Sequence, residues 1–293
     1  MKKNYVNNRV LASEILRGKW LIDDRAATKM LDAAQSFLRR ETINGDHTEP
    51  LRLAFVAMDG QEYMASNDED ANLTQPCVLV VPVQGTLTQY DNCFGTATME
   101  VVSILEAYRS DENVIGFILD INSPGGAVNA VMPLVNEIKK IQADGKPIIA
   151  HCDFAASAAY WIASQTDAII MDNILSEVGS IGVCATLIDD RENKATGERH
   201  LTIYAPQSTD KNKAYRDALD GDFAAMEKEL SDVAVVFQDA VKAGRPKLKA
   251  DADGVLSGAV FATAKAIELN MADSMGDLAS CVEIVCVRAS KIE

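Results

Sequence analysis

Between residues 77 and 171 short apolar runs alternate with amphipathic stretches in a fixed order, and this alternation leaves few architectures open. Residues 77–83, 114–121, 147–151 and 168–171 are runs of strand length that are apolar apart from Asp120 and His151. Residues 99–108 and 128–141 carry apolar side chains at helical spacing, and 156–165 reads as a further, mostly apolar helix. Strands buried on both faces and joined by helices imply a parallel sheet with right-handed crossovers. Further on, 183–188 and 201–204 read as strands and 223–243 as a long helix. The predicted fold class is α/β, built from βαβ units.

The first 75 residues have a different character. Residues 12–41 place Ile15, Leu16, Trp20, Leu21, Met30, Leu31, Phe37 and Leu38 near helical spacing. A polar loop at 44–50 is followed by an apolar stretch, 51–64, broken at Asp59-Gly60, and 66–75 has linker composition. The chain is therefore expected to divide into an N-terminal accessory region, 1–75, and a main domain, 76–293.

Charge and cysteine usage exclude several classes of function. With 43 acidic residues against 28 basic ones the net charge is −15, unsuited to nucleic acid or anionic membrane, both of which reward clustered Lys and Arg. The basic stretch 242–249 contains Gly244 and Pro246 and reads as a helix end and loop. The six cysteines (Cys77, Cys93, Cys152, Cys184, Cys281 and Cys286) have no CxxC or zinc-type spacing, so free thiols, a reducing compartment and no metal are expected. No apolar run approaches the length needed to span a bilayer, and a cytoplasmic location follows as the expectation.

Chemistry concentrates around Ser157. It follows the strand at 147–151, opens an apolar helical run, and lies about thirty residues beyond Ser123-Pro124-Gly125-Gly126. A serine at such a turn offers an exposed hydroxyl where backbone N–H groups can converge on an oxyanion. It needs a base. His47, His151 and His200 lack neighbouring carboxylates in any evident motif and read as surface or strand-end residues. A lysine serves only if burial lowers its pKa by roughly 3 units from ~10.4. Lys211 and Lys213 follow the strand at 201–204; on spacing alone they read as solvated loop lysines.

Four ordered motifs carry a family resemblance across roughly 77–280. They are Asp120-Ile-Asn-Ser-Pro-Gly-Gly126, Ala155-Ala-Ser-Ala-Ala-Tyr-Trp-Ile-Ala163, Val178-Gly-Ser-Ile-Gly-Val183 and the segment from Gly258 to Asp273. Together they resemble the signal peptide peptidase A family, serine–lysine peptidases of the ClpP/crotonase fold. The resemblance implies a ClpP/crotonase-like spiral of βαβ units, here with a helical N-terminal extension, and no cofactor. It makes Ser157 the nucleophile and Lys211 the base, with Lys213 the alternative. Gly126 and Ala158 become the oxyanion-hole donors, with Gly125 and Ser180 in support.

Ala158-Ala159 replace the family's usual Gly-Gly, and Asn270 stands where a helix-ending Gly is common, a position Asn also suits. The resemblance further implies protein or peptide substrates and a ring-forming homo-oligomer whose serine and lysine can come from neighbouring subunits. The anchor-free N-terminus favours a phage or prophage head-maturation protease acting on scaffold or capsid proteins in the host cytoplasm or prohead. A soluble housekeeping peptidase and a catalytically inactive assembly subunit are the alternatives. Acyl-CoA enzymes of the same fold need carboxylates at the reacting centre, and no motif position here supplies one.

Overall fold

The computed structural model describes residues 20–22, 51–58, 62–65, 75–90, 95–187 and 201–291, with a few single positions beside them. At its centre four parallel strands lie side by side: β4 (Cys77–Gln84), β5 (Val114–Ser123), β7 (Ile148–Ala156) and β8 (Ile169–Met171). On the outer side of β4 a hairpin, β2 (Leu53–Ala57) and β3 (Glu62–Ala65), adds two antiparallel strands. Residues 53–57 and 62–65, which precede the expected start of the main domain, thus extend its sheet.

The sheet forks at β7. Residues 150–152 pair with β8, whereas 154–156 pair with β9 (Glu177–Gly179). β9 is edged in turn by antiparallel β10 (Val260–Ala262), and β8 by parallel β11 (Ser274–Met275). A short strand beyond the end of β5, β6 (Gly125–Ala127), stands outside this sheet and pairs antiparallel with β1 (Trp20–Ile22).

One face of the sheet is covered by α1 (Thr98–Arg109), α2 (Val128–Ala143), α3 (Ala158–Ala163) and the C-terminal half of α5 (Ala224–Gly244). Alternate residues of β5, among them Phe117, Leu119 and Ile121, enter this core, and Ile118 points the other way. That opposite face is closed by α7 (Leu278–Ala289), whose Cys281, Val282 and Val285 meet Val78, Val80, Ile118 and Ile149. Two short helices, α4 (Lys213–Leu219) and α6 (Thr263–Glu268), complete the described set. This is the α/β arrangement of βαβ units that the alternation predicts.

Several expectations need correction. The strand predicted at 147–151 runs to Ala156, because its second half has β5 and β9 as partners. Residues 183–187 and 201–204 are not strands. Leu201 and Ile203 are 80% and 93% exposed, and among the described residues no strand lies beside 201–204 to complete a ladder. Of the helix predicted over 12–41 only 20–22 is described, and it is a strand; the remainder lies outside the described residues. Asn270 has φ 57°, the left-handed position expected after α6, and 245–249 is a loop beyond α5 as expected.

The C-terminal segment is tied down by a buried cation. Arg245 donates twice to Asp273, 2.7 and 3.0 Å, and the Ile169 N–H also donates to that carboxylate. Burial alone would raise the Asp273 pKa, but Arg245 and the Ile169 N–H outweigh it and hold it below its usual 3.8. The pair therefore stabilises the fold above the unfolded carboxyl pKa and loses that contribution as pH falls through the lower folded value. Arg245→Ala is expected to destabilise by about 2 kcal/mol in urea unfolding at neutral pH, less than a fully buried pair because Asp273 is 42% exposed.

Candidate active site

Ser157 joins β7 to α3 at φ 55°, ψ −117°, a conformation that L-residues with a Cβ rarely adopt. Such a residue is strained by about 1–3 kcal/mol and persists only where its surroundings dictate it. They do so here. The Ser157 N–H donates to the Gly179 carbonyl at 2.8 Å, and the Trp161 N–H closes the first helical turn onto the Ser157 carbonyl at 2.9 Å. Ala155 to Ala163 are buried without a break.

α3 is fixed on two sides. The Tyr160 hydroxyl donates to the Met271 carbonyl at 3.0 Å, and Trp161 stacks on Phe237 of α5 with ring centroids 4.7 Å apart. Both alanines after the serine are fully buried, so the short helix forms with Ala158-Ala159 in place of glycines.

The expected exposure of the hydroxyl is not observed. Ser157 is 1% exposed, because the segment leaving β9 crosses over it and Ser157 Oγ lies 3.4 Å from the Gly182 carbonyl, a weak hydrogen bond. Ser180 in that segment has φ 54° and donates its N–H to the Ala259 carbonyl at 2.8 Å.

Gly125 and Gly126 form the strand β6 rather than a simple turn. Gly125 has φ 100°, and a Cβ on Gly126 would fall 1.9 Å from the Leu87 carbonyl oxygen, so no side chain fits there. Leu87 N–H donates to the Gly125 carbonyl and Ala127 N–H to the Leu87 carbonyl, both at 2.9 Å. Ser123, which the sequence reading passed over, braces the loop: its hydroxyl donates to the Gly85 carbonyl at 2.6 Å and accepts from the Gly125 N–H at 3.2 Å. Its place in Ser-Pro-Gly-Gly was the available signal.

The candidate bases are scattered. Lys211 lies in an exposed turn before α4, and Lys213 opens that helix in an ion pair with Asp217. Among the described residues no hydrogen bond joins either lysine to Ser157. The Asp217 hydrogen bond raises the Lys213 pKa above 10.5, away from what a base requires. Burial lowers the pKa of Lys146, but this lysine precedes β7 at the end of the sheet remote from Ser157 and donates to the Asp111 carbonyl.

His151 is not a surface residue. It is 6% exposed on the α7 face, with Nδ1 2.8 Å from Asp120 and Nε2 3.2 Å from Asp172. Tertiary pairing supplies both carboxylates, since Asp120 is its neighbour across β5 and Asp172 follows β8. Six residues of strand, roughly 20 Å, separate it from Ser157, which excludes it as the base. His47 and His200 lie outside the described residues. Among the described residues no disulfide joins any of the five cysteines, and burial pushes the Cys77 thiol up to about 11 and raises Cys152 further, so neither is a nucleophile at neutral pH.

The Peptidase family S49 model matches residues 140–286, half of the chain, and the chain belongs to this family. It is 28% identical over 215 residues to Protease 4 of Haemophilus influenzae, an alignment covering 70% of this chain and 34% of that protein. It is 26% identical over 241 residues to the head-tail preconnector protein GP5 of Enterobacteria phage P21, covering 76% and 46% respectively. The chain thus spans between a third and a half of the length of these relatives. Among solved structures, a mutant of the 1510-N membrane-bound stomatin-specific protease in complex with a substrate peptide shares 18% identity at TM-score 0.40, over 72% of this chain and 80% of that one. Among the described residues no helix is long and apolar enough to cross a membrane.

Burial alone would lower the His151 pKa, but Asp120 and Asp172 outweigh it and hold it above 6.5. Its stabilising contribution is full below that unfolded value and disappears as pH rises through the folded one. Urea midpoints of the native chain should therefore fall as pH rises above 6.5, and His151→Gln should flatten that dependence.

Proposed function

We propose that this chain is a serine endopeptidase in which Ser157 is the nucleophile and Lys211 its base. The observation that carries the reading is the Ser157 backbone at φ 55°, ψ −117°, a strained strand-to-helix turn suited to presenting a nucleophile. Neutral Lys211 takes the Oγ proton as Oγ attacks the substrate carbonyl. The resulting oxyanion accepts from the N–H groups of Gly126 and Ala158, the latter free at the start of α3. Collapse expels the amine with the proton held by the lysine, and the acyl ester is hydrolysed by water that the same lysine activates.

Lys211 is preferred to Lys213 because Lys213 is held charged by Asp217. In the single chain Lys211 is exposed, whereas a lysine base needs desolvation. Exposed apolar residues near it in sequence, Leu201 and Ile203, together with Val235 and Val236 on α5, suit burial against another copy of this chain. The base then comes from a neighbouring subunit in a ring, with Ser180 and Gly125 supporting the site.

The biological setting proposed is phage or prophage head maturation, with scaffold or capsid proteins as substrates. Support comes from the likeness to the phage P21 head-tail preconnector protein, which extends over 76% of this chain. The likeness to Protease 4 supports a housekeeping peptidase as the second reading.

A fluorophosphonate probe should label Ser157 and fail on Ser157→Ala. Lys211→Ala should lower peptide hydrolysis by about 10²–10⁴-fold with the fold intact, while Lys213→Ala retains activity. Full activity in Lys211→Ala would overturn the base assignment. Failure to label at any pH between about 7 and 10 would assign the chain to the inactive, structural reading.

A further inference from the structure

Trp20–Ile22 is a described island in the N-terminal region, and it lies on the strand that carries Gly126. The antiparallel register pairs Trp20 with Ala127, Leu21 with Gly126 and Ile22 with Gly125. β6 has two edges. On one, Leu87 takes the Gly125 carbonyl and the Ala127 N–H. Peptide groups alternate in direction along a strand, so the Gly126 N–H and carbonyl face the other edge, where Leu21 stands opposite. The Leu21 main chain therefore occupies the N–H assigned above to the oxyanion.

We propose that Trp20–Ile22 is a built-in pseudosubstrate: an extended segment of the chain's own N-terminal region that holds the β6 edge and must leave before an extended peptide substrate can add there. The proposal rests on the reading of Gly126 as an oxyanion donor. A second feature agrees with a resting state, since Ser157 is 1% exposed beneath Gly182. The occupancy is of the main chain: the Leu21 carbonyl accepts from the Gly126 N–H and the Leu21 N–H donates to the Gly126 carbonyl, so it does not depend on the identity of the Leu21 side chain. The segment is a Trp-Leu-Ile triplet between Lys19 and Asp23-Asp24, apolar enough to mimic an apolar peptide and short enough to be displaced.

The test uses the full chain with an extended peptide substrate and, separately, a small alkyl fluorophosphonate. Leu21→Pro removes the N–H that donates to the Gly126 carbonyl and puts a proline ring in the ladder, which loosens the strand whose Leu21 carbonyl covers the Gly126 N–H; KM for the peptide should fall about tenfold with kcat little changed. Leu21→Ala keeps the N–H and should behave as the native chain. A synthetic peptide of residues 17–25 should inhibit Leu21→Pro competitively and the native chain far less, because the native strand is already in place.

Labelling of Ser157 together with an unchanged KM in Leu21→Pro overturns the pseudosubstrate and leaves the serine reading standing. Absence of labelling in every form overturns both. Should circular dichroism show that Leu21→Pro does not fold, the native chain carries the test. Saturating peptide substrate must then expose the Leu21 amide to hydrogen exchange, and an amide that stays protected overturns the proposal.

Discussion

The hydrogen bond from the Ser157 N–H to the Gly179 carbonyl is the interaction on which the rest of the site depends. It holds a non-glycine residue at positive φ, and it forms only because β7 forks and pairs its last three residues with β9. The same fork lets β5 finish beside β7 and deliver Gly125 and Gly126. Strain at one residue is thus sustained by a fully buried core: Ala155 to Ala163 on the inside, Trp161 stacked on Phe237, and Tyr160 fastened to the Met271 carbonyl.

Much of this framework was legible in the sequence because burial on both faces writes continuous apolar runs. Strands 77–84 and 114–123, and the helices that follow each, lie within two residues of where periodicity put them. What periodicity cannot encode is pairing. Leu201 and Ile203 have strand-forming side chains but no strand partner among the described residues, and Trp20–Ile22 looked helical because its apolar neighbours recur at helical spacing. His151 was misread for a related reason: its two carboxylates lie 31 and 21 residues away in sequence and meet it only once β5, β7 and β8 are aligned.

The serine end of the candidate site was legible for another reason. Its geometry is local, set by a strand, a turn and a small-residue helix that adjoin in sequence, with one distant glycine pair marked by Ser-Pro-Gly-Gly. The proposed base is not local. Lys211 stands in an exposed turn, and α4 leads to a long helix of which only Phe237 and Val241 are buried. A lysine in that position becomes a proton acceptor only when another surface excludes water from it. The exposed apolar side chains on the same part of the chain supply the matching half of such a contact.

Mixing two inactive forms of the full chain tests this account most directly. Ser157→Ala keeps the lysine and Lys211→Ala keeps the serine. If one copy's lysine serves another copy's serine, dissociating and co-assembling the two variants restores peptide hydrolysis that neither shows alone. A co-assembled mixture as inactive as its parents would contradict a site shared between subunits and return the base to Ser157's own chain.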